Sequence, residues 1–162
     1  MKYVINLVDY EEKYADAINE IRIDEWGKDC AIDIRKKFTK NSHIKVAKQN
    51  DLVVGFGSGK IIGDAFYIDS IVIKKEFRNK SIGSMVLNYF INYARKLNLA
   101  NIVCEGVLSN GKMNIAPLMK KYNFEEILRI KDYWGFKHPD DYCNVCQNKP
   151  CKCTSVIFKK EL

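Results

Sequence analysis

The sequence of 162 residues contains no long hydrophobic run. None of its apolar stretches approaches the roughly 20 residues that a transmembrane helix requires. Its first residues, MKYVINLVDYEEKY, include acidic side chains and no long apolar block. We therefore expect no signal peptide, no membrane association and a cytoplasmic location.

Internal repeats, low-complexity tracts and linkers are also missing from the sequence. Hydrophobic residues make up 47% of the chain and charged residues 29%, which is typical of a folded globular protein rather than a disordered one. A chain of this length can bury one substantial core. We therefore expect a single domain over residues 1–162.

The sequence has no run of five like charges, although 27 basic and 20 acidic residues give it a formal net charge of +7. A positive balance of this kind is compatible with nucleic acid or a polyanionic cofactor as the partner. Because the lysines are dispersed, we interpret most of the charge as a solvated surface, and we do not expect nucleic acid to be the partner.

Hydrophobic periodicity predicts that strands and helices alternate along the chain. The predicted strands lie at 3–8, 44–48, 52–60, 65–73, 101–108, 125–134 and 154–160. The predicted helices lie at 11–26, 30–40, 82–98 and 115–123. The helix that begins at Ile82 has the clearest amphipathic pattern, with apolar side chains at spacings of three and four as far as Leu97.

A basic turn, RNKSIGS (78–84), joins the strand at 65–73 to this helix. A strand, a turn of small residues and a helix commonly bind phosphate, because backbone amides and the helix dipole attract anions. The turn has one glycine, Gly83. Ser81 keeps its backbone amide and requires only a negative φ or modest strain. Considered alone, the turn is also compatible with a plain basic connection capped by Ser81.

The stretch SIVIKKEFRNKSIGSMVL resembles the GNAT superfamily of N-acetyltransferases, in which Arg/Gln-x-x-Gly-x-Gly/Ala leads from a strand into a helix. IKVAKQNDLVVGFGSG resembles the second and third strands of that family, and APLMKKYNF resembles its later helix. The order of predicted elements fits from residue 1 to about 136. The resemblance implies an α/β (α+β) fold, with a mixed, mostly antiparallel sheet of about seven strands. This sheet would be splayed between the fourth and fifth strands and flanked by about four helices.

The resemblance also implies acetyl-CoA as cosubstrate and a primary amine of a small molecule or peptide as acceptor, attacked directly in a ternary complex. The turn would bind the pyrophosphate of CoA, and a strand amide near Val72 or Ile73 would polarise the thioester carbonyl. Asn110 or Asn114 would supply an amide side chain. The expected cofactor-binding residues are Ile71, Val72, Ile73, Arg78, Asn79, Lys80, Ser81, Ile82, Gly83, Ser84 and Asn110.

Acyl transfer to an amine also requires a group that accepts the amine proton. Asp69 on the strand before the turn and Glu105 on the next strand are the candidates, acting directly or through water, unless each is only paired with a lysine. Met119 stands where the resembled family often has a tyrosine that acts as the acid. We predict either that Tyr133 reaches in from the following strand or that no dedicated acid is used.

Four of the six cysteines lie in CNVCQNKPCKC: Cys143, Cys146, Cys151 and Cys153. Four thiolates at this spacing suit structural, tetrahedral zinc, whereas two disulfides or an iron or redox site are the alternatives. We expect residues 138–153 to be a zinc-binding insertion, an addition to the pattern of the resembled family. Our hypothesis is that it forms a wall of the acceptor pocket together with Tyr133, Trp134 and His138. The remaining cysteines, Cys30 and Cys104, are expected to be buried without a chemical role.

Two functions of other classes remain open from the sequence. A nucleic-acid-binding protein with a zinc knuckle is suggested by the net charge and by the lysines near the cysteines. A non-catalytic sensor of acyl-CoA is permitted by Met119. The sequence identifies neither the acceptor amine nor the choice between monomer and homodimer.

Overall fold

The computed structural model describes residues 4–37 and 39–162. Tyr3, at the start of the first predicted strand, and Phe38, within the second predicted helix, lie outside this part. The strands are β1 Ile5–Asp9, β2 Ser42–Gln49, β3 Leu52–Ile62, β4 Ala65–Ile73, β5 Asn101–Leu108, β6 Glu125–Ile130 and β7 Thr154–Glu161. The helices are α1 Ala15–Trp26, α2 Ile34–Lys37, α3 Ile82–Lys96, α4 Ala116–Lys121 and α5 Tyr133–Lys137, with 3-10 turns at Glu12–Tyr14 and Lys75–Phe77.

Seven strands form one sheet in the order β1-β2-β3-β4-β5-β7-β6. Neighbouring strands are antiparallel except β4 and β5, which are parallel. A parallel pair needs a crossover connection, and α3 supplies it. The mixed, mostly antiparallel sheet that the sequence predicted is therefore confirmed.

The two central strands, β4 and β5, pair along only half of their length. The ladder joins Ala65–Ile68 to Asn101–Cys104. Beyond it, β4 continues to Ile73 and β5 to Leu108, and the described residues show no pairing between these two ends. The strands therefore diverge and leave a gap in the middle of the sheet, which confirms the predicted splay.

Helices cover both faces of the sheet and bury its apolar side chains. On one face, α3 places Val86, Leu87 and Phe90 against Phe66 and Ile102, as its period predicted. On the other face, α1 packs through residues such as Ile18 and Ile21 against β2, β3 and β4. Each fully buried side chain of this size contributes about 1.5–3 kcal/mol of burial free energy, so the two helices hold the central strands firmly from both sides.

The C-terminal part differs from the prediction. The strand predicted over 125–134 ends at Ile130, because Asp132 adopts a left-handed conformation with φ of 55° and the chain turns into α5. Tyr133 therefore begins a short helix instead of projecting from a strand. Within the part of the chain that is described, no helix is long and apolar enough to cross a membrane.

Candidate active site

A cavity of about 910 Å³ occupies the gap between β4 and β5. Its walls come from the diverging ends of these strands, the C-terminal end of α1, the basic turn, the start of α3 and α4. Ten of the eleven cofactor-binding residues expected from the sequence line it, namely Ile71, Val72, Ile73, Arg78, Asn79, Ser81, Ile82, Gly83, Ser84 and Asn110. Asn114, the alternative to Asn110, lines it as well.

Lys80 is the expected cofactor-binding residue that the cavity lining does not include. Its ammonium donates to the carbonyl of Glu76 at 3.1 Å and lies 5.1 Å from the centre of the Phe77 ring. The side chain therefore folds back along the turn.

The basic turn contains two residues with positive φ, Asn79 at 60° and Ser81 at 61°. Ser81 makes no side-chain capping bond to α3, so the structure does not use its hydroxyl as a helix cap. For a serine, this left-handed conformation costs about 1–2 kcal/mol. The sequence left open either a negative φ or modest strain at Ser81. The structure has a positive φ there, and therefore the modest strain.

The start of α3 lines the cavity and has three backbone donors without a partner among the described residues. The first backbone bond of this helix runs from the amide of Met85 to the carbonyl of Ser81, at 3.1 Å. The amides of Ile82, Gly83 and Ser84 come before that bond and have no carbonyl one turn earlier in the helix. Three adjacent amides at a helix N-terminus can bind the oxygens of a phosphate.

Gly83 is a glycine that the fold itself does not require. Its φ is not positive, and a Cβ added there would come within 4 Å of only one described atom outside the local helix, Leu118 Cδ2, at 3.7 Å. This is an ordinary van der Waals distance. The absence of a side chain at this position is therefore better explained by a ligand that approaches the backbone than by packing.

Arg78 is held by protein groups. Its Nε donates to the carbonyl of Ile73 at 2.9 Å, and its guanidinium forms an ion pair with Glu25 at the end of α1. The second oxygen of Glu25 accepts a hydrogen bond from Asn114 at 3.3 Å. Arg78 therefore links the turn to the end of α1, and Glu25 partly neutralises its charge. Sequence reasoning missed Glu25, which lies 53 residues from Arg78 and belongs to no motif.

A lysine that the sequence did not single out also reaches the start of α3. The ammonium of Lys121, on α4, donates to the hydroxyl of Ser84 at 3.1 Å, and Lys121 lines the cavity. It provides a positive charge beside the unused amides. Only its position in the fold identifies it, because it lies 37 residues after Ser84.

The two candidate bases, Asp69 and Glu105, both line the cavity, and no salt bridge involves either of them within the described ranges. Asp69 Oδ1 accepts a hydrogen bond from the hydroxyl of Ser58, whereas its Oδ2 has no partner in the described part of the chain. Both oxygens of Glu105 are occupied, one by the hydroxyl of Tyr67 and the other by Ser155 Oγ at 2.9 Å. Burial and the bond to Glu105 raise the pKa of Tyr67, so this hydroxyl remains a donor. Asp69 therefore has the more available oxygen.

No tyrosine is among the cavity-lining residues that the structure describes. Tyr133 lies on α5, where its ring packs edge-to-face on Trp134 with centroids 5.4 Å apart. Met119 is 1% exposed and belongs to the core under α3. The structure therefore brings together the two carboxylates and the turn, but does not bring Tyr133 into the cavity.

The four clustered cysteines converge. Their Sγ atoms all lie within 4.8 Å of one another, with Cys143 and Cys153 separated by 3.9 Å and Cys146 and Cys151 by 4.0 Å. Sulfurs on a tetrahedral zinc ion, with Zn–S of about 2.3 Å, lie roughly 3.8 Å apart. All six cysteines are free thiols, which argues against the disulfide alternative. A hydrogen bond from Cys153 lowers the pKa of Cys143, whereas burial raises the pKa of Cys151.

Backbone amides also support the sulfurs. The amide of Lys152 donates to Cys146 Sγ at 3.3 Å, and that of Cys153 donates to Cys151 Sγ at 3.4 Å. Such bonds stabilise thiolates, because the amides partly offset their negative charge. The donor set therefore fits a closed tetrathiolate metal site.

The surroundings of the cysteines only partly match the hypothesis of a pocket wall. Val145, between the first two cysteines, lines the cavity, whereas Tyr133, Trp134 and His138 are not among its lining residues. Trp134 packs against the cysteines instead, and the ring of His138 lies 3.9 Å from Asp141 in a largely exposed position.

The two remaining cysteines differ from each other. Cys104 is fully buried, as expected, and burial raises the pKa of its thiol. The prediction that Cys30 is buried is wrong. It is half-buried, and its thiol donates to the carbonyl of Tyr142 at 3.4 Å, because the turn after α1 packs against the cysteine-rich segment.

Solved structures of acetyltransferases have the same fold. A Bacillus subtilis acetyltransferase in complex with CoA has a TM-score of 0.75 and 19% identity, over 98% of this chain and 99% of that one. A GNAT family acetyltransferase from Elizabethkingia anophelis with acetyl-CoA bound has a TM-score of 0.74 and 17% identity, over 100% of both chains. The ribosomal-protein-S18-alanine N-acetyltransferase from Escherichia coli has a TM-score of 0.75 and 13% identity, over 98% and 94%. At these identities the likeness is one of fold.

Sequence comparison supplies the family. No curated protein sequence matches the chain. The model of the acetyltransferase (GNAT) family matches residues 8–116, which include the basic turn and both diverging strands but not the cysteine cluster. This match covers more than half of the chain and confirms the resemblance seen in the sequence. The protein therefore belongs to the acetyltransferase (GNAT) family.

Proposed function

We propose that the protein is an acetyl-CoA-dependent N-acetyltransferase that transfers an acetyl group to a primary amine of a small molecule or peptide. The observation that carries this proposal is the cavity between the diverging ends of β4 and β5, with unused helix-start amides at one side. The amides of Ile82, Gly83 and Ser84 would bind the pyrophosphate of CoA, and Lys121 would add charge. Relatives of the same fold bind CoA or acetyl-CoA.

The reaction in this proposal is direct attack in a ternary complex. The amine nitrogen forms a bond to the thioester carbonyl carbon, its proton passes to Asp69 directly or through water, and the C–S bond breaks. A backbone amide near Val72 or Ile73 would stabilise the oxyanion. Asp69 is favoured over Glu105 because one of its oxygens has no partner among the residues that the structure describes. The thiolate leaves without help if no acid is present, since a thiol of pKa near 8.5 is a tolerable leaving group.

The test replaces each candidate group by its uncharged or hydroxyl-free equivalent. Asp69→Asn should lower kcat by about 100-fold or more, with CoA affinity unchanged. Glu105→Gln should have a smaller effect. Asp64→Asn, in the exposed turn before β4, is the matched control and should behave as the original protein. Full activity in both Asp69→Asn and Glu105→Gln would contradict the assignment, and a large kcat loss in Tyr133→Phe would identify Tyr133 as the acid.

A non-catalytic sensor of acyl-CoA is the second candidate. It is favoured by the lack of a tyrosine hydroxyl among the described cavity-lining residues. The two candidates share CoA binding and differ in turnover. Thioester cleavage that depends on an added amine, across a panel of amines, supports the transferase, whereas CoA binding with no turnover on any amine supports the sensor. Nucleic-acid binding without CoA affinity would contradict both.

We further propose that Cys143, Cys146, Cys151 and Cys153 hold one structural zinc ion, with no open position for catalysis. Residues 1–162 would then form one domain in which 138–153 is the metal-binding insertion. A reducing, cytoplasmic compartment belongs to the proposal, because the ligands must remain thiolates. Elemental analysis should find one zinc per chain, and Cys146→Ser combined with Cys151→Ser should remove it. Metal-free purified protein that does not take up added zinc would refute this part.

A further inference from the structure

The cysteine-rich segment is tied to the C-terminal end of α1. The amide of Asn144 donates to the carbonyl of Trp26 at 3.3 Å. The amide of Tyr142 donates to a carboxylate oxygen of Asp29 at 3.0 Å, and the Cys30 thiol donates to the Tyr142 carbonyl at 3.4 Å. Three hydrogen bonds therefore join residues 26–30, at the end of α1 and just after it, to the loop that carries the sulfurs.

The contact at Gly27 is particularly close. Gly27 ends α1 with φ of 90°, and a Cβ added there would lie 2.9 Å from Asn144 Cγ. Only a glycine satisfies both conditions, the backbone angle and the approach of Asn144. The end of α1 is therefore shaped to receive the cysteine-rich segment.

The segment is also fixed on its other side. A Cβ added to Gly135, on α5, would lie 2.2 Å from the carbonyl oxygen of Cys151, so α5 packs directly on the backbone of a cysteine. Val107, on the end of β5 that diverges from β4, packs against the same cluster. A metal ion that fixes the four sulfurs would thus join α1 to β5 and α5.

The same end of α1 carries Glu25, next to Trp26. Glu25 forms the ion pair with Arg78, which in turn donates to the carbonyl of Ile73. Its side chain is 17% exposed, so the pair is largely shielded from solvent. Contacts therefore run without interruption from the sulfurs through Asn144 and α1 to the turn that lines the cavity.

We infer that Glu25 is a positioning residue for the CoA-binding turn and that zinc in the four-cysteine cluster holds it in place, so that metal occupancy sets the affinity for CoA. This inference rests on the proposed function. Metal binding supplies folding free energy to a short segment with few apolar residues. Without the metal, the contacts that fix the end of α1 are lost. Glu25 then holds the turn in its CoA-binding conformation in a smaller fraction of molecules. The apparent Kd rises in inverse proportion to that fraction.

The experiment is a double-perturbation cycle on the full chain. The Kd for CoA is measured by calorimetry for the original protein and for Glu25→Gln, each zinc-loaded and each stripped with a chelator. We expect stripping to weaken CoA binding about tenfold in the original protein. In Glu25→Gln, which lacks the ionic brace, the loaded protein should bind about tenfold more weakly, and stripping should change Kd less than about twofold.

If the metal-free protein unfolds, a second variant distinguishes the loss of the contact to α1 from the loss of the fold. Asp29→Ala removes the acceptor of the Tyr142 amide and leaves the four thiols and Glu25 unchanged. It should keep one zinc ion and weaken CoA binding about threefold to fivefold. Asp24→Ala, an exposed carboxylate on the same helix end, is the matched control and should bind CoA as the original protein does.

The possible results distinguish a failure of this inference from a failure of the proposed function. No CoA binding by the zinc-loaded original protein would refute the proposed function itself. CoA binding with the same Kd before and after stripping would refute only the inference. So would a full tenfold loss on stripping in Glu25→Gln, because the coupling would then not pass through Glu25. If stripping unfolds the protein, unchanged CoA affinity in zinc-loaded Asp29→Ala would refute it as well.

Discussion

Gly83→Ala should strengthen the fold and weaken CoA binding at the same time. An added Cβ would meet only Leu118 Cδ2 at 3.7 Å among described atoms outside the local helix, so the folded state accommodates the methyl group. Alanine is better than glycine inside a helix by about 0.8–1 kcal/mol. In the first turn of α3 we expect about half of that gain. In a protein of this size, the melting temperature should therefore rise by about 1–2 °C.

The effect on CoA follows from the three amides around Gly83. A phosphate oxygen that accepts from these amides lies close to the glycine Cα, so a methyl group there would push it away. The loss of one hydrogen bond to a charged group costs about 1.5–3 kcal/mol. We therefore expect Kd for CoA to rise at least about tenfold.

Thermal unfolding without ligand and calorimetry with CoA measure the two effects separately. Ser81→Gly is the matched control. It relieves the left-handed strain of Ser81, retains the backbone amide and should leave Kd within about twofold. A more stable Gly83→Ala protein that binds CoA with unchanged Kd would refute the assignment of these amides to phosphate. A Gly83→Ala protein with a lower melting temperature would show that the folded state does not accommodate the added methyl group.

Three further predictions concern other parts of the molecule. Arg22 is 2% exposed, and its Nε and Nη1 atoms have no hydrogen-bond partner in the described residues, so Arg22→Met should raise the free energy of unfolding by about 1 kcal/mol or more in urea titrations. The exposed Arg35→Met should not raise it, and a loss of stability in Arg22→Met would contradict the prediction. Burial, together with the Lys45 ammonium, lowers the pKa of His43, whose Nε2 lies 2.8 Å from the Tyr89 hydroxyl. Because the unfolded chain then binds the proton more readily, the stability that His43 contributes is present above about pH 6.5 and is lost as the pH falls, and His43→Gln should reduce the loss measured between about pH 7 and pH 5. An identical loss in both proteins would refute this assignment. Lys121→Met should weaken CoA binding and reduce its dependence on salt, and an unchanged salt dependence would exclude Lys121 from the phosphate site.

The sequence predicted the features that depend on local pattern. Helix α3 has a regular period, and the turn before it is a contiguous motif, so both could be recognised from adjacent residues. The candidate bases followed from their places on β4 and β5, and the convergence of the cysteines followed from their spacing. In each case the information lies in a contiguous stretch of the sequence.

Features that depend on distant contacts could not be predicted. Glu25 and Lys121 reach the turn from α1 and α4, and nothing in their own neighbourhoods indicates it. Ser81 has a positive φ, which its residue type does not favour. The aromatic residues Tyr133 and Trp134 favour a strand by propensity, but Gly135 packs on Cys151, so α5 depends on the folded cysteine cluster.

Because β4 and β5 diverge, each of them has a strand edge that faces the gap in the middle of the sheet. Protein interiors rarely leave backbone polar groups unpaired, and an elongated ligand with amide groups can add to a sheet edge as an extra strand does. The pantetheine arm of CoA would then complete the sheet as well as deliver the acetyl group. Hydrogen exchange in the empty protein should therefore be fast at the gap-facing amides of the last residues of β4 as well as at the rims of the sheet. Bound cosubstrate should slow exchange at those amides. Its binding would then complete the hydrogen bonding of the central strands and stabilise the folded state.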